Sequence, residues 1–174
     1  MPGLQTWVGM SEIHVQKGPT LFTCAGLASC IGLVAYDPLA KVGGMAHIML
    51  PESFPEKPTA KPGQFANTAI PALLDEMERL GASPTKLIAA YAGGAQVFRF
   101  GAGKEALGVG ARNAAAVAEW VRKYGLKVVA EDVGGNLGRT LTMCTTSGDV
   151  KVRTVDGVER VLCNVLQEPW QPTP

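Results

Sequence analysis

Residues 67–80 carry Ile70, Leu73, Leu74, Met77 and Leu80 at intervals of three and four, the spacing of a single helical face. Pro71 falls in the first turn of that helix, and Gly81 stands where it should stop. A second helix is predicted over residues 110–124, with Ala114, Val117, Trp120 and Val121 as its apolar stripe and Gly125 as its end. The other apolar runs are short, rich in Val, Ile, Leu and Ala, and bounded by turn residues. Strands are predicted over 21–30, 31–36, 42–50, 86–91, 126–133, 139–145, 150–155 and 158–166. Strands at both ends with two helices between them point to a layered α+β domain rather than regular βαβ alternation. The tract 51–63, with Pro51, Pro55, Pro58 and Pro62, is too long for a simple connection; it reads either as a lid or as a mobile surface loop. Residues 167–174 read as a frayed end.

Composition narrows the class. The 174 residues are 47% hydrophobic and show neither repeats nor a long linker, so one domain spanning 1–174 is expected, large enough to bury a core without disulfides. Sixteen basic residues against 15 acidic ones give a net charge of +1, without the basic excess that holds phosphates, so nucleic acid is not an expected partner. The N-terminal residues lack the basic and apolar regions of a secretory signal, and the apolar run 24–36 is too short to span a bilayer. A cytoplasmic protein without membrane insertion is expected. Its four cysteines, Cys24, Cys30, Cys144 and Cys163, should then be reduced, and neither they nor the two histidines have metal-ligand spacing. Nucleotide motifs fail as well: Phe98 and Glu105 break a Walker A reading around Gly103-Lys104, and Ala106 replaces the third glycine of a dinucleotide fingerprint. No metal or cofactor is expected.

With only His14 and His47 available as bases, nucleophilic cysteine chemistry has few possible pairings. Cys30 and His47 flank Asp37-Pro38-Leu39-Ala40, which suits a type I turn between two strands. If those four residues form the loop, Tyr36 pairs with Lys41, and counting outward brings Cys30 directly opposite His47. Opposed side chains share a sheet face with Cβ atoms about 4.5 to 5.5 Å apart, and a neighbouring imidazole can lower a thiol's pKa. The same residues are also compatible with a buried small hydrophobe and a core histidine bonded to a carbonyl. Cys144 and Cys163 read as core, and His14, between Glu12 and Gln16 in an early polar strand, as a surface residue.

Several ordered blocks carry a resemblance. Ala25-Gly26-Leu27-Ala28-Ser29-Cys30-Ile31-Gly32, Tyr36-Asp37-Pro38 and Gly43-Gly44-Met45-Ala46-His47-Ile48-Met49-Leu50-Pro51 resemble the CheD family of chemoreceptor glutamine deamidases. Ala66-Asn67-Thr68-Ala69, Ala92-Gly93-Gly94-Ala95, Gly110-Ala111-Arg112-Asn113 and the run Glu131 to Arg139 continue the likeness in order. The resemblance implies a β-sandwich with helices packed on its outside, similar to the catalytic domains of deamidating toxins. It implies Cys30 as nucleophile, His47 as base, no cofactor, chemoreceptors as substrates, some activity on methylated glutamates and, as a possible partner, a CheC-like phosphatase of the response regulator. A binding module tuning that phosphatase is the alternative reading, and a cysteine protease a third. The family's threonine six residues before the nucleophile, which orients the histidine, is replaced here by Cys24. Thr23 lies next to it on the opposite face of a regular strand. The orienting group is then Cys24, Thr23 brought round by a bulge near Gly26, or a backbone carbonyl.

Overall fold

The computed structural model describes residues 3–57, 61–97 and 108–167. Five strands precede the first helix: β1 (Leu4–Trp7), β2 (Ile13–Lys17), β3 (Thr20–Leu27), β4 (Ile31–Asp37) and β5 (Val42–Ile48). Then come α1 (Ala66–Arg79), β6 (Ile88–Gly93) and α2 (Val109–Lys123), followed by β7 (Lys127–Val133), β8 (Arg139–Cys144), β9 (Asp149–Thr154) and β10 (Glu159–Asn164). They form two mixed five-stranded sheets, ordered β1-β3-β8-β9-β10 and β2-β5-β4-β6-β7. Each sheet has one parallel pair, β1 with β3 and β6 with β7.

Burial explains the layering. The strands β4, β5 and β6 are buried at every position, so the second sheet is covered on both faces. One face, through Val34, Tyr36, Met45, Ile88 and Ala90, packs on Phe22, Cys24, Leu27, Leu141 and Met143 of the first sheet. The other, through Ile31, Leu33, Ala46 and Ile48, packs on Ile70, Leu73 and Met77 of α1 and Val117 and Val121 of α2. Both predicted helices lie within one residue of the observed ones. The buried stripe of α2 is Gly110, Asn113, Val117 and Val121, with Ala114 only partly buried; a polar Asn113 occupies a position where periodicity calls for an apolar side chain.

The strand reading differs from the structure in two places. The run 21–30 ends as a strand at Leu27: its ladder with β8 bulges between Cys24 and Leu27, with Gly26 at φ 70°, resumes at Leu27 opposite Arg139, the first residue of β8, and goes no further, so Cys30 lies in the connection to β4. Strand β1 was not anticipated: only Thr6 of its four residues is buried, so no alternation marks it. The tract 51–63 is anchored at its start, where Ser53 N–H donates to Asn67 Oδ1 at 2.9 Å, and ends in a short 3₁₀ turn, Pro62–Gln64. Pro58 lies outside the described residues, as do Phe98, Gly101, Gly103 and residues 168–174.

Candidate active site

The β4–β5 hairpin positions the pair singled out in the sequence, in a different register. Asp37 Oδ1 accepts from the N–H groups of Leu39 and Ala40 at 2.9 and 3.0 Å, and its carbonyl accepts from Lys41 N–H at 2.8 Å. Lys41 is left-handed, at φ 58°, and belongs to the turn. The first closed pair is therefore Asp37 with Val42, not Tyr36 with Lys41, and His47 lies opposite Gly32. The ladder ends at Ile31 with Ile48, so Cys30 stands one residue beyond it. A displacement of two residues preserves the face. His47 shares the parity of Met45 on the inter-sheet side, and Cys30 packs against the same inter-sheet cluster, a diagonal rather than a direct neighbour.

His47 is 2% exposed. Its Nδ1 lies 3.3 Å from the carbonyl of Val8, and its buried Nε2 has no hydrogen-bond partner among the described residues. A carbonyl only accepts, so Nδ1 carries the proton and Nε2 the lone pair of the neutral ring. Val8 is held in turn through the preceding peptide, its N–H donating to Thr23 O at 2.8 Å. The backbone of His47 is clamped from the β2 side, with His47 N–H donating to Glu12 O and Ser11 N–H to His47 O. Of the three orienting groups considered, the one on Nδ1 is thus a backbone carbonyl. Cys24 is fully buried, its Sγ 3.5 Å from where a Cβ on Gly32 would stand. Thr23 is on the other face, half-buried, and the bulge falls after it, so the backbone does not turn it inward.

Cys30 is half-buried, and the carbonyls around it are held from outside. Ala28 O accepts from Ala95 N–H at 2.7 Å, Cys30 O from Gly94 N–H at 2.9 Å, and Ser29 O from Asn113 Nδ2 at 2.8 Å. Gly93, at φ 127°, lets this segment approach, since a Cβ there would lie 2.0 Å from Cys30 O. Burial pushes the Cys30 thiol above its ordinary value, with its own N–H partly opposing. Burial also holds the His47 imidazole below its usual value, against the opposing pull of Val8 O and Glu12. Nε2 makes no hydrogen bond to the sulfur, and desolvation disfavours both charged forms, so burial rather than the imidazole sets the direction of the thiol's shift. The resting pair is a neutral thiol and a neutral base.

Other predicted residues lie elsewhere. His14 pairs with Glu12 at 3.0 Å, its side chain 40% exposed. Cys144, expected in the core, is on the outer face of its sheet, since the inward positions of β8 are Arg139, Leu141 and Met143; Cys163 is partly buried against the inter-sheet cluster. Among the described residues no group of three or more His, Cys, Asp or Glu side chains could hold a metal ion. Sequence reasoning missed the Val8 carbonyl, which leaves no side-chain signature. It also missed Asn113, whose signal was an amide on the buried stripe of a helix.

Comparison with known proteins gives consistent matches. A family model described as CheD chemotactic sensory transduction matches residues 49–154, a stretch that begins just after His47. A probable chemoreceptor glutamine deamidase CheD of Desulforamulus reducens is 43% identical over 155 residues, 89% of this chain and 93% of its own. Its namesake in Desulfitobacterium hafniense is 44% identical over 155 residues, 89% of this chain and 96% of its own. Among solved structures, a Neisseria meningitidis protein of the DUF152 family aligns with 83% of this chain and 65% of its own, at 14% identity and a TM-score of 0.45.

Proposed function

Because this chain belongs to the CheD family, we propose that it hydrolyses glutamine side-chain amides on the cytoplasmic helices of chemoreceptors, giving glutamate and ammonia. The relatives are named probable chemoreceptor glutamine deamidases. The observation that carries the chemistry is the histidine: Nδ1 on a backbone carbonyl, Nε2 bare and buried, on the sheet face that Cys30 also packs against. In the proposed reaction Nε2 takes the thiol proton as Sγ attacks the carboxamide carbon, and the carbonyl oxygen becomes an oxyanion. In this scheme the Cys30 N–H is the donor for that oxyanion. Collapse of the adduct transfers the His47 proton to the departing ammonia and leaves a thioester. His47 then deprotonates water, which attacks the thioester and releases glutamate and the thiol. A neutral resting pair suits this scheme, because the proton moves only as the bond to carbon forms.

The adaptor reading, docking on a CheC-like phosphatase, draws on one observation: Cys30 and His47 are joined by no hydrogen bond through Nε2. One experiment separates the two. Purified protein incubated with receptor cytoplasmic fragments should shift their mass by the amide-to-acid difference and release ammonia. Cys30→Ser, nearly the same volume, should abolish both and leave the melting temperature unchanged. Persistent turnover in that variant overturns the nucleophile assignment, and absence of turnover in the wild type leaves the adaptor reading.

A further inference from the structure

Asn113 is fully buried on the inner stripe of α2. Its Nδ2 donates to two backbone carbonyls, Ser29 O at 2.8 Å and Met49 O at 2.8 Å. Both neighbours are acceptors, so the nitrogen must face them and Oδ1 must point away, where it is buried without a partner among the described residues. An apolar residue would suit the helix stripe, and an amide with an orphaned oxygen is a costly one. What the amide holds explains its presence. Ser29 O and Met49 O lie just beyond the last β4–β5 pair, Ile31 with Ile48, so a single side chain ties the entry of one strand to the exit of the other. Helix α2 comes close enough because residue 110 is glycine: a Cβ there would lie 2.5 Å from Ala95 O.

The Ser29 carbonyl and the Cys30 N–H belong to one peptide unit. Its bond is trans, with no cis bonds among the described residues, so the two groups are coplanar and point in opposite directions. Whatever fixes the direction of Ser29 O also aims the Cys30 N–H. The carbonyls on either side, Ala28 O and Cys30 O, are fixed by backbone donors from Ala95 and Gly94. Only the peptide containing the Cys30 N–H is held by a side chain among these three. We propose that Asn113 is a positioning residue that aims the Cys30 N–H at the oxyanion by gripping the Ser29 carbonyl. The inference rests on Cys30 acting as the nucleophile.

The test compares two reactions of the same thiol. p-Nitrophenyl acetate acylates a thiol through a tetrahedral oxyanion, expelling p-nitrophenolate. Iodoacetamide alkylates it by displacing iodide, with no oxyanion. Asn113→Ala should slow acylation of Cys30 by about 10-fold or more, below the full effect of deleting an oxyanion donor. Alkylation should fall less than acylation, because it loses only the N–H contact that partly opposes the rise in the thiol's pKa and builds no oxyanion. Asn113→Ser, which keeps one donor, should recover part of the acylation rate. Equal losses in both reactions, no loss in either, no acylation of wild-type Cys30, or failure of both variants to fold would each overturn the proposal; the last would assign Asn113 to stability alone. Receptor fragments provide the independent arm. If wild type acylates normally and the split is seen, but no receptor glutamine gains the mass of an acid, the deamidase reading fails and the positioning role stands.

Discussion

An imidazole with one nitrogen on a carbonyl and the other buried without a partner resists a second proton, since protonation would place an unpaired charge in the space between two sheets. This resistance has a consequence for stability. Burial lowers the His47 pKa in the native state, so as pH falls through about 6.5 the unfolded chain takes up a proton that the native chain refuses. The unfolded state binds more protons in that window, so this contribution to stability rises with pH and is lost on acidification. His47→Gln retains an N–H for Val8 O and does not titrate. Urea midpoints measured between about pH 5 and 8 should therefore fall less steeply on the acid side for the variant than for wild type. Identical slopes would show that His47 is solvated in solution.

At the scale of elements, the connection before β4 depends on the glycines that end β6. Gly93 is at φ 127° and Gly94 at φ 65°, and their backbones approach the segment that carries Cys30. A methyl group on Gly93 would stand 2.0 Å from Cys30 O, against backbone that cannot rotate away. Gly93→Ala therefore combines a disfavoured φ with a clash, and a loss of about 3 kcal/mol is expected in denaturant unfolding. Ammonia release should fall further than the folded fraction does, because relief of the clash moves Cys30. Loss of stability with full activity per folded molecule would show that the segment shifts as a unit.

At the scale of the whole molecule, the two sheets are joined by charge as well as by their apolar faces. Asp132 on β7 pairs with Arg139 on β8 at 2.8 Å and with Arg160 on β10 at 2.6 Å, so one carboxylate in the second sheet holds two strands of the first. Arg139 is 5% exposed and also donates to the carbonyls of Asp132, Gly134 and Leu137, which shapes the turn between β7 and β8. Arg139→Leu removes the charge and leaves those carbonyls without a donor, so a loss of about 3 to 5 kcal/mol is expected in urea unfolding. Arg139→Lys should recover little, because one ammonium lacks the planar fork that reaches several acceptors. Full rescue by lysine would show that only the charge matters.

Periodicity and turn chemistry determined much of this protein before any coordinates. Both helices, the β4–β5 hairpin and the strands around it were legible because 3.6- and 2-residue patterns and turn residues act locally. The shared face of Cys30 and His47 also survived, since the register shift was an even number of residues. What remained hidden depends on contacts between segments distant in sequence. The bulge in β3 and the unpatterned edge strand β1 are set by neighbouring strands, whereas the left-handed Lys41 that moved the register belongs to the local turn built on Asp37. Val8 O is a backbone atom 39 residues from His47, and Asn113 reaches Ser29 from 84 residues away. Desolvation, which keeps the thiol and imidazole neutral, is likewise a property of two closed sheets. Residue types and local order are written along the chain, whereas carbonyl direction and burial arise only when remote segments pack together.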